Sequence, residues 1–269
     1  MAGMDHARRV TVVIAEVFCV IGTLVGVGVL GTRVQEASGG ALAADATLLA
    51  PAGPAFSIWS VIYLGLLGYT VWQALPSTLT STRARTTGWL AAASMVLNAG
   101  WLLVTQQGWL WVSVGVIVAL LAVLTVIGRR LAALDAAATA ASGLERLVVD
   151  ATFGLYLGWV AVATCANITA TLVASGVDAS AGVGAAIAVV VLAVAGGVGV
   201  LLMRSVGARW AVAAAMAWGL TWIAIGRTGD APRSTVTAVT ALIAAVAILA
   251  AAVAVGRSTT SRAGEGHDV

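Results

Sequence analysis

The sequence predicts an all-α, polytopic membrane protein with about eight transmembrane helices. Of its 269 residues, 61% are hydrophobic and only 9% are charged, and the mean hydropathy of +1.03 is far above that of water-soluble domains. Several apolar stretches reach about 20 residues, the length that a helix needs to cross ~30 Å of hydrocarbon. No stretch alternates between apolar and polar residues as a porin strand does, so the spans are predicted to be helices.

Eight apolar segments follow one another along the chain. The second is closed by prolines, the fifth is long enough to require tilt or an overhang, and the seventh is short. Counts of seven or nine spans are alternatives, because the boundaries carry an error of a few residues. The predicted spans are residues 9–30, 55–75, 87–105, 109–128, 148–174, 183–203, 210–226 and 235–256.

The arginines test this count, because basic residues concentrate on cytoplasmic loops. All 14 basic residues are Arg. With the N-terminus inside, only Arg33, Arg227 and Arg233 lie outside. The arginines predicted to lie inside are Arg8, Arg9, Arg83, Arg85, Arg129, Arg130, Arg146, Arg204, Arg209, Arg257 and Arg262. This split predicts a multi-pass protein of the plasma membrane with both termini cytoplasmic, and it accounts for the high pI without a nucleic acid partner.

Composition changes along the chain and suggests three parts. Residues 1–176 contain the first five spans and most of the aromatic residues. Residues 177–256 contain three further spans built mostly from Ala, Val and Gly. The tail, 257–269, has too little apolar content to fold and is predicted to be disordered.

Residue types that support catalysis or metal binding are not arranged in a recognisable set. Cys19 and Cys165 lie in different spans without Cys or His spacing, so both are interpreted as packing residues. His6 and His267 lie in the two tails. We expect no metal site and no catalysis by protein side chains.

Ten tryptophans stand against three Phe and three Tyr. Trp favours the membrane interface, and five of the ten fall near predicted span ends. These five, interpreted as an interfacial belt, are Trp72, Trp89, Trp109, Trp111 and Trp210.

Other aromatic residues lie deeper and form two stripes. On a 3.6-residue period, Phe56, Trp59 and Tyr63 share one face of the second span. Tyr156, Trp159 and Asn167 likewise share one face of the fifth span. A buried indole or phenol prefers a hydrogen-bond partner, so these stripes should face the centre of the bundle.

Two asparagines are predicted to lie at the same depth as these stripes. Asn98 and Asn167 each lie about seven residues from the outer end of a span, roughly 10 Å below the surface at ~1.5 Å per residue. The sequence therefore predicts an aromatic, amide-lined cavity in the outer half of the membrane. The alternative is that both asparagines only hydrogen-bond neighbouring helices, and the residues alone do not separate the two interpretations.

Two acidic residues near the spans have alternative interpretations. Glu16 lies in the middle of the first span, where a carboxyl group is costly and normally faces protein or water. It is either a proton or ion relay or a neutral, hydrogen-bonded packing residue. Asp150, four residues after Arg146, is predicted to form an interfacial ion pair with it.

Three motifs together resemble the tryptophan-rich sensory protein / translocator protein family, also called the peripheral-type benzodiazepine receptor family. They are Phe56, Trp59 and Tyr63 in the second span, "LNAGW" at 97–101, and "YLGWVAVATCAN" at 156–167. The resemblance covers about residues 9–175. "PAGPAF" departs from the family pattern because it lacks the two loop tryptophans, and three spans follow the family's usual five.

The resemblance implies a five-helix membrane bundle, often dimeric, that binds a porphyrin, haem or other tetrapyrrole, or a sterol, between its helices. It implies that this ligand cavity is lined by Trp59, Tyr63, Asn98, Trp101, Tyr156, Trp159 and Asn167. We also place Phe56 in the cavity wall. The expected function is therefore that of a ligand-binding sensory protein in the lipid bilayer. The alternative is a secondary transporter of a small hydrophobic solute that uses Glu16.

Overall fold

The computed structural model describes residues 2–137, 141–177, 181–206 and 210–265. Within these residues the fold is all-α and polytopic, as predicted. Eight long helices account for most of it. They are α1 (Ala2–Gly26), α2 (Ile58–Ala74), α3 (Thr82–Gln106), α4 (Leu110–Ala136), α5 (Thr152–Ala174), α6 (Ala181–Ser205), α7 (Trp210–Gly229) and α8 (Thr235–Glu265).

The first five helices form a closed ring in the order α1, α2, α5, α4, α3. Glycines allow two of these helices to approach closely. A Cβ atom at Gly22 of α1 would lie 2.8 Å from the Cβ of Ala99 in α3, and one at Gly26 would overlap Leu102. Small residues at such positions let helices pack tightly within a membrane. Gly22 and Gly26 therefore serve a contact inside the chain.

The last three helices extend the ring on the outer side of α5. α7 packs along α5, α8 packs along α7, and α6 packs along α8. The contact between α5 and α7 depends on Gly158, because a Cβ there would meet the carbonyl oxygen of Val212 and lie 2.9 Å from the Cβ of Ala215.

Seven of the described helices are long and apolar enough to cross a membrane, and α7 is not among them. We predicted a span at 210–226, and α7 does lie there within the bundle. Its 20 residues give a length of about 30 Å, sufficient to cross the hydrocarbon. α7 tolerates a more polar composition because it packs between α5 and α8, where protein replaces much of the lipid.

Several predicted boundaries differ from the structure. α4 continues to Ala136 because Leu131 is buried and Asp135 reaches Arg83 in α3. α8 continues to Glu265, into the tail that we predicted to be disordered, while residues 266–269 lie outside the described residues.

The end of the bundle where α1 begins is held together by ion pairs. The buried guanidinium of Arg83 pairs with Asp150 at 2.6 Å and also with Asp135. Our prediction that Asp150 pairs with Arg146 is therefore wrong. Residues 146–151 form a π-helical turn ahead of α5, which changes the spacing expected for an α-helix.

Four of the five tryptophans predicted to form an interfacial belt lie on the surface of the bundle, and one is buried. Trp89, Trp109, Trp111 and Trp210 are about half exposed, as interfacial residues should be. Trp72 is only 4% exposed, and its ring lies 5.8 Å from that of Tyr69. Arg9 of α1 donates hydrogen bonds to the carbonyl oxygens of Gln73 and Leu75, which brings α1 over this end of α2. Trp72 is consequently a packing residue.

The C-terminal end of α7 binds the long loop between α1 and α2. Arg227 is buried, and its guanidinium donates hydrogen bonds of 2.8 Å to the carbonyl oxygens of Thr47 and Ala44 and one of 3.1 Å to that of Pro232. One turn earlier, the carbonyl oxygen of Trp222 accepts a hydrogen bond from the amide of Ala52. The last three helices are thereby attached to the first five at a second place.

Gly158→Ala should destabilise the protein by about 1–3 kcal/mol, because the added methyl group overpacks the contact between α5 and α7. Gly100→Ala is the matched control, since a Cβ atom there meets nothing within 4 Å and Ala favours a helix over Gly. Thermal unfolding in detergent measures both. Equal melting temperatures for the two variants would contradict this account of the contact.

Arg227→Met should free the loop between α1 and α2, because three carbonyl oxygens lose a charged donor, each such hydrogen bond being worth about 1.5–3 kcal/mol. We expect faster proteolysis within residues 41–52 and a lower melting temperature. Arg233→Met is the control, since Arg233 is exposed and, among the described residues, donates only to the carbonyl oxygen of Gly229. Loop cleavage at the same rate in both variants would show that the guanidinium does not hold the loop.

Candidate functional site

The aromatic stripes of α2 and α5 face each other inside the five-helix ring. The Trp59 ring is stacked on Tyr63 at 5.3 Å and meets Tyr156 and Trp159 edge-on at 5.9 and 6.2 Å. Phe56 meets Trp159 edge-on at 5.8 Å. Such offset and edge-to-face pairs each contribute about 0.5–1.5 kcal/mol beyond area burial. These rings therefore form a continuous wall between the two helices.

Asn98 connects three helices next to this wall of aromatic rings. Its amide nitrogen donates a 3.2 Å hydrogen bond to the hydroxyl of Tyr63 in α2 and lies 3.6 Å from the sulfur of Cys19 in α1. Asn98 itself lies in α3 and is fully buried. The amide thus ties α1, α2 and α3 at one level.

Asn167 connects three helices on the other side of the five-helix ring. Its carbonyl oxygen accepts a 3.0 Å hydrogen bond from the indole of Trp101 in α3, and its amide nitrogen lies 3.1 Å from the hydroxyl of Ser113 in α4. Asn167 projects from α5 and is buried. Both asparagines therefore make the interhelical hydrogen bonds that were one of the two interpretations, and both also lie beside cavities.

A cavity at this end of the ring has a volume of about 350 Å³. It lies between α1, α2, α3 and the loop that follows α1. Its aromatic lining comes from Phe56, Trp59, Tyr63 and Trp101. Arg33, at the start of that loop, supplies a charged group, and within the described part of the chain it forms no ion pair.

Two smaller cavities lie behind the same rings. One, of about 50 Å³, is bounded by Phe56, Trp101, Trp159 and Asn167 and is closed by loop residues 41–51. The other, of about 30 Å³, touches Trp59 and Asn98 as well as Trp101 and Trp159. Since Phe56 and Trp101 line all three cavities, rotation of these two rings would join them.

Two polar atoms beside the smallest cavity lack a hydrogen-bond partner among the described residues. They are the carbonyl oxygen of Asn98 and the indole nitrogen of Trp159. A buried polar group without a partner costs about 1–3 kcal/mol. A guest that carries both a donor and an acceptor would satisfy both atoms.

Tyr156 does not line any of these three cavities. Its hydroxyl donates a 3.2 Å hydrogen bond to the carbonyl oxygen of Ser94, and its ring packs edge-on against that of Trp59.

Glu16, in α1, is 5% exposed, and one of its carboxyl oxygens has no partner among the described residues. It lies one helical turn before Cys19.

Sequence reasoning missed the contribution of α7 to this region. The indole of Trp218 donates a 3.0 Å hydrogen bond to the carbonyl oxygen of Ala55, next to Phe56. Trp222 packs edge-on against Trp218 at 5.5 Å. The signal was present, since these two tryptophans, with Trp210, are the only aromatic residues after residue 176. The residue that Trp218 contacts could not be predicted from the sequence, because the contact joins residues 163 positions apart.

Comparison with known protein families assigns the chain to one of them. The chain matches the family model described as TSPO-like protein over residues 10–254. The match extends beyond residues 9–175, over which we read the resemblance, and includes α6, α7 and most of α8. No curated protein and no solved structure matches the chain. The chain, an integral membrane protein built of helices, therefore belongs to the TSPO-like protein family.

Proposed function

We propose that the protein is a membrane receptor for a flat, hydrophobic ring ligand, such as a porphyrin, another tetrapyrrole or a sterol. The observation that carries the proposal is the 350 Å³ cavity walled by Phe56, Trp59, Tyr63 and Trp101. Small-molecule sites in proteins are typically apolar cavities of about 300–1,000 Å³ with a few placed polar groups. This cavity is at the lower end of that range, and rotation of Trp101 would enlarge it.

The charge at the cavity favours an anionic ring over a neutral one. Arg33 lines the cavity, and no carboxylate of the described residues pairs with it. A guanidinium recognises carboxylates with two parallel hydrogen bonds. The acidic side chains of a porphyrin would find a partner at Arg33, while its rings stack on Trp59 and Tyr63.

Binding is favoured over catalysis as the role of this site. Its polar groups are amides, hydroxyls, indoles and the guanidinium of Arg33, which orient a ligand but do not exchange protons near neutral pH. We propose that Asn98 and Trp159 orient the ligand, with Asn167 holding Trp101 in place. A homodimer and a plasma membrane location with both termini cytoplasmic remain part of this proposal, supported by the family and by the arginine distribution.

Titration with protoporphyrin should quench the tryptophan fluorescence of the purified protein saturably, with a dissociation constant in the micromolar range from three or four aromatic contacts. Trp59→Leu should weaken binding about tenfold, because it removes one ring that touches three others. Arg33→Gln should weaken binding of protoporphyrin but not of its dimethyl ester or of a sterol.

Trp109→Leu is the matched control for this titration. Trp109 lies at the same end of the bundle but is 58% exposed and lines none of the three cavities at the aromatic wall. Its removal should leave the dissociation constant unchanged. Quenching that never saturates, or equal weakening in Trp59→Leu and Trp109→Leu, would refute the proposed site.

A secondary transporter is the second candidate function, and the buried, incompletely paired carboxyl of Glu16 favours it. An ionisable residue within a membrane segment commonly marks an ion or proton pathway. Glu16→Gln should then abolish accumulation of the ring ligand in proteoliposomes driven by a pH gradient, while binding persists. Glu36→Gln, in an exposed loop, is the control. Wild-type accumulation by Glu16→Gln would eliminate this candidate.

A further inference from the structure

A charged pocket of about 180 Å³ lies at the opposite end of the bundle from the aromatic cavity. It is formed by the start of α1 and the start of α3, and its lining residues are Met4, Asp5, Arg8, Arg85 and Trp89. Two cations and one anion leave the pocket with a formal charge of +1.

The pocket is a built site, because its charged groups are fixed by one another. Asp5 accepts a 2.8 Å hydrogen bond from the buried Arg8 and bonds of 3.0 and 2.6 Å from Arg85. The stem of Arg8 lies against Gly88, where a Cβ atom would overlap it. Arg85 is 40% exposed and uses only its Nε and Nη2 atoms for Asp5, so its Nη1 atom remains available to a ligand.

An apolar groove continues from this pocket along the membrane-facing side of α1 and α3. The groove has a volume of about 640 Å³, and Trp89 lines both it and the pocket. Ala15, Ala92 and Ala93 form part of its floor, and Phe18 bounds it. Small side chains between two larger ones leave a channel of a shape that an extended hydrocarbon chain can fill.

We propose that this pocket and groove bind one anionic phospholipid. Its phosphate lies in the charged pocket beside Arg85, and one acyl chain lies in the groove between α1 and α3. The charge of the pocket matches an anionic headgroup, and half-exposed Trp89 lies where a tryptophan favours the level of the headgroups. A free phosphate would use the pocket but not the groove, and a second copy of the chain would use the groove but not the pocket.

Native mass spectrometry of the purified protein with equal amounts of phosphatidylglycerol and phosphatidylcholine of the same chains tests the proposal. We expect one phosphatidylglycerol to be retained preferentially. Arg85→Gln should reduce the preference about fivefold, the factor for one arginine near an anionic membrane surface. Arg129→Gln, an exposed arginine at the same end, should leave it unchanged. Equal retention of the two lipids by the wild type, or equal losses in both variants, would overturn the proposal.

A second pair of variants tests the groove. Ala93→Leu fills it and should reduce retention of phosphatidylglycerol, whereas Ala119→Leu, on the exposed face of α4, should not. Inorganic phosphate at millimolar concentration should not displace the lipid. Displacement by phosphate together with unchanged retention by Ala93→Leu would indicate a free anion site. A dimer that Ala93→Leu dissociates and lipid does not affect would indicate a second copy of the chain. Either result would overturn the proposal.

Discussion

The bundle depends on hydrogen bonds made by two asparagines in a setting without water. Asn98 joins α1, α2 and α3, and Asn167 joins α3, α4 and α5. In hydrocarbon, a polar side chain is stable only with a partner, so each amide specifies which helices are neighbours and at what height. α3 takes part in both sets, which makes it the helix against which the others are aligned. The aromatic wall is held in register by the same bonds, because Tyr63 and Trp101 are the partners of these amides.

The part of the structure that follows the first five helices supports the cavity from outside. The sequence "PAGPAF" lacks the loop tryptophans expected from the family resemblance. α7 reaches this segment from another direction. The indole of Trp218 donates to the carbonyl oxygen of Ala55, and the backbone carbonyl oxygen of Trp222 accepts from the amide of Ala52. Arg227 bonds the loop before Gly53. The loop that closes one of the cavities is thus fixed by an arginine of α7 that lies 180 and 183 positions after its partners in the loop. Through these contacts of α7, the last three helices form one structural unit with the first five.

Charge and aromatic rings are separated along the bundle. Arg8, Arg83 and Arg85 meet Asp5, Asp135 and Asp150 at one end, whereas the ring cluster lies toward the other. Between the two ends, the buried polar residues include Glu16, Ser94 and Thr164. Ion pairs with access to water contribute little individually, but an arginine that pairs with two carboxylates fixes the ends of three helices in one place. The end with the ion pairs is therefore expected to be rigid, whereas the cavities beside the aromatic rings give the other end room to rearrange.

The sequence alone determined the class of the protein and which residues share one face of a helix. Hydropathy requires membrane helices, and the 3.6-residue period places Phe56, Trp59 and Tyr63 on one face, because both follow from local geometry. The sequence alone did not determine that Trp72 is buried, that Asp150 pairs with Arg83, or that α7 binds the loop between α1 and α2. These contacts join residues that are distant along the chain, and they depend on which helices become neighbours. Only the packing of the whole bundle decides that, since lipid and protein are almost equally apolar surroundings for any one helix.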